Sequence, residues 1–187
     1  AFSGTFSINV GNSNYISTVQ TNSSHFAIAF QDTADSNKGK LIICSLDGAS
    51  CGSEIIVNNN AYSYLKIIKT SNDNLLVAAA DTSNSFGTFH TFNLDGSGRI
   101  YRGNFNVGST FYIDMIEGSD NKVKIVYRDA GNLNYGTFRN CDLVGTNCGS
   151  EIVYVSLSSN FNQISEISDK LYVSSFRGSI NFNLDGS

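Results

Sequence analysis

The stretch Tyr112–Val155, YIDMIEGSDNKVKIVYRDAGNLNYGTFRNCDLVGTNCGSEIVYV, decides the fold class. Its runs YIDMI, VKIVY, GTFRNCDL and SEIVYV alternate apolar and polar residues at strand length, and Gly, Asn, Asp or Ser separates each from the next. Four short strands joined by tight turns form an antiparallel meander. The same unit recurs along the chain. The first copy has YISTV (Tyr15–Val19), FAIAFQD (Phe26–Asp32), KLIICSL (Lys40–Leu46) and SEIIV (Ser53–Val57). The second has YLKII (Tyr64–Ile68), LLVAAAD (Leu75–Asp81), GTFHTFNL (Gly87–Leu94) and RIYRGNFNV (Arg99–Val107). The fourth has QISEI (Gln163–Ile167), LYVSSF (Leu171–Phe176) and GSINFNL (Gly178–Leu184), and lacks a fourth strand. No 3.6-residue periodicity competes anywhere, and no linker marks a domain boundary.

A period of roughly 45 to 49 residues with four strands each is the pattern of β-propeller blades. The expectation is an all-β, single-domain chain: a β-propeller of four blades, each of four antiparallel strands, over residues 15–57, 64–107, 112–155 and 163–184. A sandwich is the competing architecture, but it does not require the second strands to end on the same residue, as they do at Asp32, Asp81 and Asp129. The orphan strand GTFSINV (Gly4–Val10) completes the last blade. Leu94 to Val107 spans 13 residues, and Leu184 read on from Ser187 into Ala1 reaches Val10 with the same separation. Closure within one chain gives a ring; closure with a second copy gives a strand-exchanged homo-oligomer or filament.

Composition narrows the partners. The 187 residues are 41% hydrophobic and 15% charged, enough for a real core. A net charge of −4 without any basic run argues against nucleic acid. No apolar run approaches the roughly 20 residues of a membrane-spanning helix, so membrane insertion is not expected. The start at Ala1 fits a mature secreted chain and equally a fragment. Cys44 and Cys51 flank SLDGAS, and Cys141 and Cys148 flank DLVGTN, each pair across a Gly-containing turn. Two local disulfides follow, and with them an oxidising compartment, secreted or at the cell surface. A zinc site prefers two to four residues between paired ligands, not six. Where two units carry Cys44 and Cys141, the other two carry Phe92 and Phe182.

VYRDAGNLNYGTFRNCDLVGTNC (Val126–Cys148), with a looser copy over Ala29–Cys51, resembles a bacterial extracellular propeller repeat. In that repeat a strand ending Tyr-x-Asp precedes a loop, a strand closing on Cys and a second Cys. Units two and four lack the cysteines, and Arg177 stands where unit four should have Asp. The four-bladed arrangement resembles that of hemopexin-like proteins, without their motifs. The resemblance implies a secreted or surface-displayed recognition module and names no ligand.

Asp32, Asp81, Asp129 and Arg177 recur at one level and are candidates to ring one mouth, where carboxylates would meet Ca²⁺ or sugar hydroxyls. The alternative is that each Asp caps the loop after its strand. Phe86 and Tyr135, between second and third strands, are candidates to stack on sugars or a protein, or to pack between blades. His25 and His90 have no ligand partners at metal spacing, and Asn22-Ser23-Ser24 is a chance-level glycosylation acceptor. Apart from the repeated strand-end Asp residues, Glu117 and Glu166, on or just after inner strands, are the candidate acids near a channel, with nothing to pair them. The sequence therefore predicts a non-catalytic adhesion or recognition module for a glycan or surface protein, with no cofactor and no resident metal. A secreted propeller glycan hydrolase and a filament subunit are the alternatives.

Overall fold

In the computed structural model, residues 11–167, 170–175 and 178–183 are described. They form β1 (Ser13–Gln20), β2 (His25–Asp32), β3 (Lys38–Ser45), β4 (Ile55–Lys69), β5 (Asn74–Asp81), β6 (Gly87–Asn93) and β7 (Ile100–Asn106). There follow β8 (Thr110–Glu117), β9 (Val123–Asp129), β10 (Tyr135–Cys141), β11 (Ile152–Ser158), β12 (Gln163–Ile167), β13 (Lys170–Ser175) and β14 (Gly178–Asn183). All pairings are antiparallel between sequence neighbours, as the tight turns require.

The all-β class holds, but the expected closed ring of four four-stranded blades does not. The strands form one seven-stranded sheet, β1 to β7 in order, one four-stranded sheet, β8 to β11, and a three-stranded sheet, β12 to β14. The cause lies in NNNAYSY, which reads as a connection between two blades. It contains neither Gly nor Pro to break the strand, so β4 runs through it for 15 residues. Ala61 still pairs with Lys38 of β3, while Tyr62 already pairs with Asp81 of β5. Side chains hold the handover extended: Asn58 Nδ2 donates to Tyr62 Oη at 2.9 Å, and Asn60 Nδ2 donates to Asp81 Oδ2 at 2.7 Å. The strand expected over Gly4–Val10, the closure it would provide and Arg177 lie outside the described residues.

The sheets pack face to face in series, and strand alternation divides each central strand between two cores. Leu75, Val77 and Ala79 of β5 join Ala27, Ala29, Leu41 and Tyr62 in one core. Leu76 and Ala78 face the other way, onto Phe89, Phe105, Met115, Ile125 and Tyr127. Val126, Phe138, Tyr154, Leu171 and Val173 form the third core. A strand buried on both faces has no room for alternating polar residues, which explains why β2, β5 and β9 read as near-continuous apolar runs.

Two repeated details tie the third strands down. A Cβ built on Gly87 would lie 2.3 Å from Phe105, and one on Gly136 would lie 2.7 Å from Tyr154, so each glycine seats an aromatic ring of the neighbouring strand. The disulfides Cys44–Cys51 and Cys141–Cys148 are both present, as the spacing predicts. Cys44, Phe92, Cys141 and Phe182 occupy equivalent ladder positions, opposite Phe26, Leu75, Val123 and Leu171. The alternation of bridge and aromatic residue is therefore a property of the register.

Candidate functional site: an aromatic basin between the four units

Units one to three open on an aromatic residue, Tyr15, Tyr64 and Tyr112, and Phe161 stands two residues before unit four, all spaced about 49 residues apart. All four have left-handed backbone, with φ of 51°, 54°, 50° and 55°. Bulky residues seldom adopt this region, because Cβ crowds the following carbonyl oxygen at a cost of about 1–2 kcal/mol each. Against a typical total stability of about 5–15 kcal/mol, four such residues are not incidental. The three tyrosines sit in β-bulges, where the register slips between Asn14 and Ser17, Ser63 and Lys66, and Phe111 and Asp114. A bulge re-aims the side chain of the extra residue. The result here is convergence. The ring centroids of Tyr15 and Tyr64 are 4.6 Å apart, those of Tyr64 and Tyr112 5.0 Å, and those of Tyr112 and Phe161 5.2 Å.

These rings line an open cavity of about 360 Å³, to which every unit contributes its opening residues. Phe161 is 69% exposed and Tyr15 39%, whereas Tyr64, stacked between its neighbours and edge-on to Phe111, is half-buried. The guanidinium of Arg128 lies 4.3 Å from the Phe111 ring centre and 4.8 Å from that of Tyr112, and its Nη1 donates to Asn160 Oδ1 at 2.6 Å. Burial, followed by the hydroxyls of Tyr15 and Tyr112, pushes the Tyr64 phenol well above its usual range. At neutral pH Tyr64 is a hydrogen-bonding phenol and not a base.

Two residues beyond each aromatic lie Ser17, Lys66, Asp114 and Gln163, of which the first three stitch the units together. The Ile67 N–H donates to Ser17 Oγ at 3.2 Å, and the Ile164 N–H donates to Asp114 Oδ2 at 2.9 Å. Lys66 Nζ and Asp114 Oδ1 form an ion pair at 2.6 Å between units two and three. The basin thus has aromatic walls and a polar lining of Ser17, Lys66, Asn162 and Gln163, with Asp114 behind Lys66 in the adjoining cleft. Such a surface takes a ligand with an apolar face and hydroxyl edges.

The residues singled out from sequence lie elsewhere. Asp32, Asp81 and Asp129 end their strands buried, and each accepts from backbone two residues on: the N–H of Ala34 at 3.0 Å, of Ser83 at 2.9 Å and of Gly131 at 2.9 Å. Among the described residues no cluster of His, Cys, Asp or Glu is placed to hold a metal ion. Phe86 and Tyr135 are half-buried at the entrances to β6 and β10, away from the basin lining. Glu117 and Glu166 are not paired with each other. Glu117 Oε2 accepts from the Ser71 N–H at 2.7 Å and Glu166 Oε2 from the Ser119 N–H at 2.9 Å, each clasping the turn of the preceding unit. The basin residues were missed because an aromatic residue at a strand start reads as core. The detectable signal was their recurrence at one position of the period.

No known protein family and no curated protein matches the sequence. Solved structures do share the fold. An exo-β-1,3-galactanase of Phanerochaete chrysosporium in complex with β-1,3-galactotriose matches with a TM-score of 0.67 at 12% identity, over 89% of this chain and 44% of that one. An ulvan lyase, a polysaccharide lyase bound to a GlcA(1-4)Rha3S fragment, matches with a TM-score of 0.65 at 8% identity, over 82% and 43%. A protein of unknown function from Dyadobacter fermentans matches with a TM-score of 0.72 at 13% identity, over 97% and 63%. The chain spans less than two thirds of each. These matches correct the expectation of a chain without catalysis, since glycoside hydrolases and a polysaccharide lyase are built on this fold. The inference from regular repetition to absence of a site fails for a physical reason. Here the repeated position is what converges.

Proposed function

We propose that this chain is the glycan-contacting module of an extracellular carbohydrate-active protein, and that the basin of Tyr15, Tyr64, Tyr112 and Phe161 receives the sugar chain. The observation that carries the reading is the left-handed backbone at all four aromatic residues, a conformational cost spent on turning rings into one open cavity. A pyranose ring presents an apolar C–H face to such walls and hydroxyls to Ser17, Lys66 and Gln163. Asp114 lies beyond the basin lining, in the adjoining cleft, but is ion-paired to the basin residue Lys66, so it is the candidate for proton transfer in glycan cleavage. The disulfides and the glycan-acting structural neighbours support an extracellular setting.

The test is to incubate the chain with a polysaccharide panel that includes β-1,3-galactan and ulvan, and to follow reducing ends for hydrolysis and ultraviolet absorbance for lyase products. Binding is followed in parallel by affinity electrophoresis. Retardation by one polysaccharide, lost in Tyr64→Ala, is expected, together with cleavage lost in Asp114→Asn without loss of retardation. Retardation that survives Tyr64→Ala would remove the basin from the account.

A further inference from the structure

The groove between units one and two and the equivalent groove between units two and three are bridged differently. In the latter, Arg139 of β10 reaches across to donate from Nη1 to Phe105 O at 2.5 Å and from Nε to Gly149 O at 2.9 Å. Its guanidinium also lies 3.5 Å from Glu151. His90 holds the same ladder position in β6, opposite Val77 as Arg139 is opposite Ile125. The imidazole makes no such bond, and the carbonyls of Ile56 and Val57 across this groove are taken by Arg99, from the turn before β7. Between Arg99 and His90 lies a polar cavity of about 450 Å³, lined also by Asn58, Asn60, Asp81 and Tyr101.

Its groups form a consistent set. Asp81 is fixed as an acceptor by Asn60 Nδ2 on one oxygen and by the Ser83 N–H and Oγ on the other. Arg99 is pinned through Nη1 to the carbonyls of Ile56 and Val57. Tyr101 is half-exposed, its ring centre 5.3 Å from that of His90. His90 is 2% exposed, its Nε2 is 2.7 Å from Tyr62 Oη, and its Nδ1 has no hydrogen-bond partner. Burial, with the Arg99 charge added and Asp81 opposing, holds its pKa down at about 4, so the ring is neutral at physiological pH. A buried polar atom without a partner is rare and costs free energy. One carboxylate and one guanidinium cancel, so the cavity does not select an ion. Fixed acceptors, amide donors and one open aromatic face are the equipment for a ring of vicinal hydroxyls.

We propose that this groove is a second carbohydrate subsite, taking one neutral hexopyranose unit between Tyr101 and the Asp81–Asn60 pair. It shares no residue with the aromatic basin. A site at the outer groove anchors a chain end or branch, while the basin holds a separate part of the glycan.

Amide and imidazole NMR spectra of the ¹⁵N-labelled chain, titrated with the methyl glycosides of galactose, glucose and mannose, test this directly. Saturable shifts at Asn60, His90 and Tyr101 with at least one sugar are expected, lost in Tyr101→Ala and retained in Tyr64→Ala. The imidazole spectrum supplies an independent readout, since a sugar seated on Tyr101 alters the surroundings of the His90 ring 5.3 Å away. No saturable shift at these residues, or shifts that survive Tyr101→Ala, would overturn the subsite. Shifts confined to Tyr15, Tyr64 and Tyr112 would leave the basin standing and remove the groove; shifts confined to the groove would do the reverse.

Discussion

Replacing Phe161 by Asn separates a ring displayed for a ligand from a ring that holds the fold together. Phe161 is 69% exposed, has φ +55° and meets one ring partner, Tyr112, at 5.2 Å. Relief of left-handed strain is about 1–2 kcal/mol, because Asn tolerates that region far better than Phe. Loss of one ring contact costs about 0.5–1.5 kcal/mol. Little burial is lost from a side chain that is mostly in solvent, so Phe161→Asn is expected to fall between a loss of about 0.5 and a gain of about 1.5 kcal/mol. The matched control is Leu157→Asn in β11, 60% exposed and without a left-handed backbone, where a poor strand former should destabilise by up to about 1 kcal/mol. Urea titrations read both variants, with glycan retardation measured alongside. For Phe161→Asn, stability within that range together with weakened retardation is the expected pair. A loss of more than about 1 kcal/mol in Phe161→Asn would mean that the rings are core, and the case for a displayed surface would fall.

Acid should destabilise through His90. Its folded pKa of about 4 lies below the 6.5 of a free imidazole. The unfolded chain therefore binds more protons between those values, and this contribution, fully present above pH 6.5, is lost as pH falls toward 4. Its size is at most about 3 kcal/mol, and urea titrations across that range should show a shallower slope in His90→Gln. Gly87→Ala places a Cβ 2.3 Å from a ring carbon of Phe105, so overpacking of about 1–3 kcal/mol is expected, partly relieved by Phe105→Leu; an unchanged melting temperature would contradict that contact. Removing the first bridge with Cys44→Ser and Cys51→Ser should cost about 2.5 kcal/mol by loop-closure entropy, and a double variant as stable as the parent would show the bridge to be dispensable.

Strand positions were legible because each rests on local chemistry. The run Val123–Asp129 coincides with β9, and Leu75–Asp81 falls one residue short of β5. Both disulfides were legible for the same reason. Sheet membership was not, because whether Asn58–Ser63 turns or runs on depends on Tyr62, Asp81 and His90, which meet only after folding. The basin was hidden by a rule that ordinarily serves well: bulky aromatic residues are not expected at positive φ. The sequence holds the four rings at constant spacing, but the bulges that turn them inward have no residue signature of their own. Phe86 and Tyr135 drew attention by lying in loops, whereas the converging rings lie at the openings of the units.

The uninterrupted β4 has a consequence for how the molecule comes apart. Its first half completes the ladder of β3 and its second half begins that of β5, so neither sheet half can shed this strand without stripping hydrogen bonds from the other. Units one and two should therefore open as one cooperative block, with a common free energy for slow amide exchange along Ile55–Lys69. Unit three has its own four-stranded sheet and leans on unit two through side chains and the Thr110 N–H to Ser85 O bond, which leaves it free to open on its own. Under mechanical load or protease, the chain is expected to yield first downstream of Val107 and last around Tyr62, so the stretch that reads most like a linker becomes the most protected backbone in the molecule.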